Sequence, residues 1–125
     1  MRLVIQKVSQ SSVKIDGKIV GKIGKGYMVL VGITNGDDKI LVEKMVDKLV
    51  NLRIFEDEND KLNLSLLDVK GELLLISQFT LYGDARKGRR PNFMNALGGD
   101  EARKFYEKFI EMMKDTGLKA QTGIF

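Results

Sequence analysis

A nearly continuous apolar run from Tyr27 to Ile33 is the feature that most restricts how this chain can fold. An unbroken apolar run of this length, preceded by the turn-forming Gly24-Lys25-Gly26, is typical of a strand that is buried on both faces. Such a strand cannot stand at the surface of the molecule. The sequence therefore predicts a sheet whose interior includes this run.

Shorter strand patterns lie on both sides of this run along the chain. Residues 2–8 and 12–15 are rich in β-branched residues, and Asp16-Gly17 is a strong hairpin signal that leads into a return strand over 18–23. The first third of the chain is therefore predicted to be a meander of strands. Further strands are predicted at 53–55, at 62–67 (as a strand or turn), at 72–79 and from 118 to 121.

Two segments have helical periodicity. The first, over 38–50, begins at the acidic pair Asp37-Asp38, which suits a helix N-terminus. Residues 101–115 follow Asp100, a predicted cap, and Gly117 is predicted to end this second helix. The apolar stripe of the second helix is interpreted as core rather than as a cofactor site, and it consists of Ala102, Phe105, Phe109, Met112 and Met113.

These patterns predict one α+β domain over residues 1–125. Its sheets are expected to be antiparallel or mixed and barrel-like, with the two main helices packed on one side. No run of about 18 apolar residues occurs, and the start of the chain reads directly into a strand pattern without a signal peptide. A cytoplasmic location is therefore expected.

The chain has neither histidine nor cysteine. This composition excludes disulfides, Cys-ligated metals and any Ser-His-Asp or Cys-His mechanism. A hydrolase with this composition must use carboxylates, amines, backbone dipoles or groups on its substrate. The acidic run at 56–60 is interpreted as a solvated hairpin tip, because it lacks the glycine and spacing of a calcium loop. No metal or cofactor is expected.

Polar side chains follow the apolar part of the strand at 72–79. Ser77 and Gln78 either cap the end of the strand or position a polar substrate, and the backbone N–H groups near Phe79 and Thr80 can form an oxyanion hole. Thr80 has no histidine to activate it as a nucleophile, which favours local hydrogen bonding or substrate positioning. These residues are the candidate catalytic segment.

A cluster of positive charge comes next in the sequence. It consists of Arg86, Lys87, Arg89 and Arg90, and the net charge of the chain is +4. A solvated loop and a phosphate-binding loop both fit this pattern. Tyr82 and Phe93 flank the cluster and can stack on a base.

The chain resembles the D-aminoacyl-tRNA deacylases, formerly called D-tyrosyl-tRNA deacylases. The resemblance covers the whole chain. It is carried by Ile5–Val8, Asn51–Asp57, Leu62–Asp68, Ser77–Tyr82, Arg86–Pro91 and Thr122–Phe125.

The resemblance implies hydrolysis of the ester that joins a D-amino acid, or glycine mischarged on other tRNAs, to the terminal adenosine of tRNA. It implies a homodimer with active sites at the subunit interface, and a mechanism that uses the 2′-hydroxyl of the tRNA ribose. Gln78, Phe79 and Thr80 are then the catalytic residues, and Ser77 and Lys7 bind substrate. The implied tRNA contacts are Arg86, Lys87, Arg89 and Arg90.

Two differences from the family pattern bear on these expectations. The family continues with a cis Gly-Pro motif that reaches into the partner's pocket and excludes L-amino acids. This sequence stops at Phe125 and its only proline is Pro91, so we expect a C-terminally short member. Lys7 occupies a position where many relatives have arginine, whose planar guanidinium binds carbonyl groups better than a lysine ammonium does. The alternatives to an enzyme are a catalytically impaired tRNA-binding module and a purely structural domain.

Overall fold

Eight strands and three α-helices follow one another along residues 1–125, all of which the computed structural model describes. The strands are β1 (Arg2–Val8), β2 (Ser11–Ile15), β3 (Lys18–Ile23), β4 (Gly26–Gly32), β5 (Phe55–Glu56), β6 (Leu62–Leu64), β7 (Glu72–Ser77) and β8 (Ala120–Thr122). The helices are α1 (Lys39–Asn51), α2 (Leu66–Val69) and α3 (Gly99–Asp115), and a 3₁₀ helix spans Phe79–Tyr82.

A four-stranded sheet in the order β1-β4-β7-β8 forms the centre of the domain. β1 is antiparallel to β4, whereas β7 is parallel to both β4 and β8. The predicted apolar run corresponds to β4, which has a strand on each edge and only half-buried or buried residues. The prediction of an interior strand is therefore confirmed, and so is the α+β class.

The hydrophobic core lies between this sheet and the two long helices. Tyr27, Val29 and Val31 of β4 lie on the same face as Leu73 and Leu75 of β7. From the helices, the side chains that pack on this face include Val42, Val46, Leu49, Tyr106, Phe109 and Met113. α1 and α3 therefore lie on one side of the sheet, as predicted. No helix is long and apolar enough to cross a membrane.

The hairpin of β2 and β3 covers part of the opposite face of the sheet. A Cβ atom at Gly21 would lie 2.7 Å from the Thr122 carbonyl oxygen and 3.2 Å from Leu74 Cδ1, so glycine allows this close approach. β2 and β3 pair only with each other while β1 pairs with β4, so the meander predicted for the first third of the chain is wrong. β5 pairs only with β6. The three sheets therefore stay separate, and the predicted barrel-like arrangement does not close into a barrel.

Local hydrogen bonds explain where several elements begin. Asp38 caps α1 by accepting from the Leu41 amide at 2.8 Å, as the acidic pair predicted. The prediction of Asp100 as a cap is wrong, because α3 begins at Gly99 and Asp100 lies in its first turn. The strand or turn predicted at 62–67 is a strand only as far as Leu64, because Ser65 and Asp68 form a reciprocal capping box that starts α2.

Two buried tyrosines provide a test of the core. The Tyr106 hydroxyl donates to the Leu75 carbonyl at 2.7 Å, whereas the buried Tyr27 hydroxyl has no partner. An unpaired buried hydroxyl destabilises the folded state, so Tyr27→Phe should leave the free energy of unfolding unchanged or raise it by up to about 1 kcal/mol. Tyr106→Phe should lower it by about 0.5–1.5 kcal/mol. Urea denaturation of the two variants measures the contrast, and a larger loss in Tyr27→Phe would contradict it.

Candidate active site

The chain turns sharply at the end of β7. The Gln78 amide still donates to the Val31 carbonyl at 2.8 Å, and the Leu81 amide then donates back to the Gln78 carbonyl at 3.3 Å. The strand predicted to reach Phe79 therefore ends at Ser77, because β4 ends at Gly32 and offers no further partner. This turn places the predicted site residues at the end of β7 and the start of the 3₁₀ helix. They are Ser77, Gln78, Phe79 and Thr80.

The amides of Phe79 and Thr80 precede the first hydrogen bond of that helix. In a 3₁₀ helix the first amides have no acceptor within the helix. No side chain caps this helix. These two amides are therefore in a position to donate to an oxygen of a bound substrate, which is the role that the sequence predicted for them.

The side chains of Gln78 and Thr80 contact each other. The Gln78 side-chain amide donates to the Thr80 hydroxyl oxygen. An amide N–H donor does not accept a proton, so this contact orients the hydroxyl without activating it as a nucleophile. The arrangement agrees with local hydrogen bonding or substrate positioning at Thr80.

A small apolar cavity lies beside this segment. It has a volume of about 220 Å³, and its lining includes Ser77 and Phe79. The sequence did not predict that other parts of the chain complete the wall, and for residues 97–99 its only signal was the long segment without periodicity over 82–99. The remaining lining residues are Val31, Ile33, Leu97, Gly98, Gly99, Ala102 and Phe125.

The cavity lies at the N-terminus of α3, where the cap residue Gly98 has no side chain that could cap the helix. Helix N-termini carry a partial positive charge. Phe125 reaches the cavity from the other side, where its ring lies 5.6 Å from the Tyr106 ring. The site therefore combines an apolar wall with unpaired backbone donors.

Phe79 connects this segment to the long loop that follows. Its ring is 55% exposed and meets the Phe93 ring edge-on, with 5.4 Å between the centroids. Asp84 and Asn92 exchange backbone hydrogen bonds at 2.8 and 2.7 Å. The loop that carries the basic cluster is therefore closed at its base and folded back towards the 3₁₀ helix.

The four basic residues of the loop are not equivalent. Arg86 grips Asp84 with both ends of its guanidinium, at 2.9 Å from Nε to Oδ1 and 2.7 Å from Nη2 to Oδ2. These hydrogen bonds lower the pKa of Asp84 to about 2, so the pair stays ionised until the pH falls to that value. Lys87, Arg89 and Arg90 are exposed and have no acidic partner.

This difference predicts unequal roles in binding a polyanion. Neutralising both Arg89 and Arg90 with glutamine should reduce the slope of log K against log salt by about 0.7–0.9 for each phosphate contact that is lost. Arg86→Gln should change the slope less than either Arg89→Gln or Arg90→Gln alone, because Asp84 already occupies its guanidinium. Titration of deacylated tRNA at several salt concentrations measures the slopes. Equal effects at all three arginines would contradict the assignment.

Lys7 lies at the other end of the sheet. It is opposite Tyr27, whereas Ser77 is opposite Val31, so the two positions are four residues apart along the strands, roughly 13 Å. The Lys7 ammonium donates to the Ile54 carbonyl at 3.0 Å. This chain therefore does not bring Lys7 to the cavity, and its role in substrate binding stays a prediction.

The acidic turn between β5 and β6 uses its carboxylate locally. Asp57 accepts from the amides of Asn59 and Lys61 at 2.8 and 3.1 Å. The Lys61 and Asn59 amides lower the pKa of the Asp57 carboxyl below its usual range. The interpretation as a hairpin tip is confirmed. No group of three or more acidic residues is placed to hold a metal ion.

Known proteins resemble this chain over its full length. The family model described as D-Tyr-tRNA(Tyr) deacylase matches residues 4–125. A D-aminoacyl-tRNA deacylase of Clostridium perfringens is 63% identical, and one of Clostridium beijerinckii is 59% identical. Each alignment covers all of this chain and 84% of the relative.

Solved structures agree with the sequence matches. The structure named c-Myc DNA Unwinding Element Binding Protein superposes with a TM-score of 0.93 at 39% identity, over all of this chain and 85% of that one. A probable eukaryotic D-amino acid tRNA deacylase shares the fold, with a TM-score of 0.75 at 22% identity over 90% of this chain and 66% of that one. The family match and the identity to the clostridial enzymes place the chain in the D-Tyr-tRNA(Tyr) deacylase family.

Proposed function

We propose that this protein hydrolyses the ester bond of D-aminoacyl-tRNA and releases the free D-amino acid and the tRNA. The observation that carries the proposal is the Ser77–Thr80 segment, which presents two amides without helical acceptors beside a small cavity. The identity of 63% to a named deacylase supports the same reaction and the same substrate class. Glycine mischarged on other tRNAs is a second substrate that the family resemblance implies.

In the proposed reaction the amides of Phe79 and Thr80 donate to the carbonyl oxygen of the ester. Water adds to the carbonyl carbon, the bond to the 3′ oxygen of the ribose breaks, and that oxygen takes a proton. The negative charge that develops on the carbonyl oxygen is stabilised by the two N–H groups, and such donors contribute several kcal/mol. Ser77, Gln78 and Thr80 hold the terminal adenosine and the aminoacyl group.

The group that transfers the proton from the attacking water to the 3′ oxygen is proposed to come from the substrate. The chain has no histidine or cysteine, and Thr80 is paired with an amide that does not act as a base. The 2′-hydroxyl of the terminal ribose lies next to the ester in the substrate itself. Holding the 2′-hydroxyl and the ester in the right geometry accelerates the reaction strongly without an ionisable side chain of the protein.

An enzyme explains the observations better than the two alternatives. The catalytically impaired tRNA-binding module has no support in the comparisons, since the relatives at 59–63% identity are named deacylases. A purely structural domain does not account for three exposed cations of the loop that have no acidic partner.

We propose that Lys87, Arg89 and Arg90 contact the phosphates of the acceptor end, with a smaller contribution from Arg86. The cytoplasm is the proposed location, because the substrate is tRNA.

We further propose that two copies associate and complete each other's sites, as the family resemblance implies. A row of apolar side chains crosses the sheet on the face away from the helices. Val4 lies opposite Leu30, and Leu30 lies opposite Ile76. Val4 is 45% exposed although it is in the middle of β1. Light scattering of the purified protein tests this association.

The activity is tested with matched substrates. The protein should release D-tyrosine from D-tyrosyl-tRNA faster than the uncatalysed ester decays. L-Tyrosyl-tRNA is the control for enantioselectivity, and a protein inactivated by heat is the control for spontaneous loss. No acceleration of D-ester loss at any protein concentration would overturn the proposed function, whereas equal cleavage of both esters would overturn chiral selection alone.

A further inference from the structure

Residues 7–25 form a second segment with a large excess of positive charge, besides the basic cluster at 86–90. The chain has 21 Lys and Arg against 17 Asp and Glu, and this segment holds five lysines and a single acidic residue, Asp16. The rest of the chain therefore has 16 residues of each sign. The β2–β3 hairpin and its flanks, which we call the lysine hairpin, therefore carry a net charge of +4. Its five lysines are Lys7, Lys14, Lys18, Lys22 and Lys25.

None of these lysines has an acidic partner. All five are exposed, and none takes part in an ion pair of the protein. Other charged residues of the chain do form ion pairs, such as Arg103–Glu107 and Lys119–Glu72. Like charges that are close together repel each other and oppose compaction, so an unbalanced cluster is more favourable when an anion binds to it.

The lysines of the hairpin point to solvent because its other face is buried against β7 and β8. Gly21 packs on Thr122 and Leu74, and Ile23 is only 2% exposed. The alternation of side chains in a strand then directs Lys22 and its cross-strand neighbour Ser12 to solvent. The outer face contains an open cleft of about 350 Å³, lined by Gln10, Ser11, Ser12, Lys14, Ile19 and Lys22.

The chemistry of this cleft suits the backbone of a nucleic acid. Lysine ammonium groups together with hydroxyl and amide side chains are the donors that proteins use for phosphate oxygens. The cleft contains two lysines, two serines and a glutamine, and no acidic residue. An acidic residue would repel a phosphate, so its absence distinguishes this cleft from the one beside Asp84 and Arg86.

We propose that the lysine hairpin is a second tRNA contact surface, which binds phosphates of the acceptor arm away from the aminoacyl end. This inference rests on the proposed function, because it takes tRNA as the substrate. The hairpin packs on β7 and β8, and β7 ends at Ser77. When the 3′ end of a tRNA occupies the Ser77–Thr80 site, the rest of its acceptor arm remains outside the site and carries a negative charge on every phosphate. Contacts to these phosphates supply affinity that depends on salt.

The test is the binding of deacylated tRNA to the triple variant Lys14→Gln, Lys18→Gln and Lys22→Gln. Its matched control is Lys39→Gln, Lys44→Gln and Lys61→Gln, which removes the same charge from exposed lysines outside both basic segments. With the hairpin variant the slope of log K against log salt should fall by about 2, and affinity near 0.1 M salt should fall roughly ten-fold or more. The control variant should bind nearly as tightly as the wild type.

The outcomes separate this inference from the proposed function. Equal losses of affinity in the two triple variants, or a wild-type slope in the hairpin variant, would overturn the inference even if D-ester hydrolysis is intact. A wild-type protein that binds tRNA through the hairpin but hydrolyses no ester would overturn the proposed function alone. If the hairpin variant loses binding only to vesicles of phosphatidylcholine and phosphatidylserine, the surface recognises membranes and the inference is wrong. Thermal unfolding of both triple variants confirms that they are folded.

Discussion

Phe79→Pro is expected to slow the hydrolysis of D-tyrosyl-tRNA by about 10²–10³-fold relative to Phe79→Ala, because it removes one of the two proposed oxyanion donors. Both variants remove the aromatic ring, and only the proline removes the backbone N–H. Phe79 is the first residue of its helix, where the ring of proline is tolerated. Gln78 has φ −146° and ψ 90°, an extended conformation that a following proline favours.

The comparison therefore isolates a backbone atom that ordinary side-chain substitution does not reach. The rate is measured under single-turnover conditions with D-tyrosyl-tRNA, and circular dichroism confirms that both variants are folded. Thr80→Ser is a useful companion, because it keeps the amide and the hydroxyl and should retain most of the activity. Equal rates for the proline and alanine variants would show that the Phe79 amide does not contact the reacting carbonyl.

Gly26→Ala is expected to destabilise the fold by about 4 kcal/mol or more. Gly26 is opposite Glu72 where the parallel strands β4 and β7 begin. A Cβ atom at Gly26 would lie 1.8 Å from the Glu72 carbonyl oxygen, which belongs to the backbone of the central sheet. Neither strand is free to move away, because each is also paired on its other edge.

Gly24→Ala provides the matched control for this substitution. The added Cβ would meet only the Glu72 side chain, at 3.4 Å, which is an ordinary contact. Chemical denaturation of the two variants gives the difference in free energy of unfolding, and Gly24→Ala should cost less than about 1 kcal/mol. A Gly26→Ala variant as stable as this control would contradict the close approach of β4 and β7.

The sequence predicted the elements whose signals are local. The apolar run at 27–33, the Asp16-Gly17 hairpin and the cap at Asp38 depend on neighbouring residues, and each is present in the structure. Strand ends depend on distant partners instead. β7 ends at Ser77 because β4 offers no partner beyond Gly32, and no pattern within 72–79 indicates that limit.

The part of the site that lies in one segment of the chain was predictable, whereas the parts that depend on distant residues were not. The sequence indicated Ser77–Thr80 because polar side chains follow an apolar strand there, and the absence of histidine favoured backbone donors. The cavity wall also includes Leu97 and Phe125, which come from two other parts of the chain. Arg86 looked equivalent to Arg89 in the sequence, and only the structure shows that Asp84 already holds it.

In the proposed mechanism the substrate supplies the hydroxyl that transfers the proton, while the protein supplies position and backbone donors. The most direct measurement compares D-tyrosyl-tRNA that ends in adenosine with the same ester on a terminal 2′-deoxyadenosine. We predict that removing the 2′-hydroxyl slows hydrolysis by about 10²-fold or more, as expected when a positioned proton-transfer group is lost. Equal rates for the two esters would contradict the account, because the chain would then have to supply the reactive group itself.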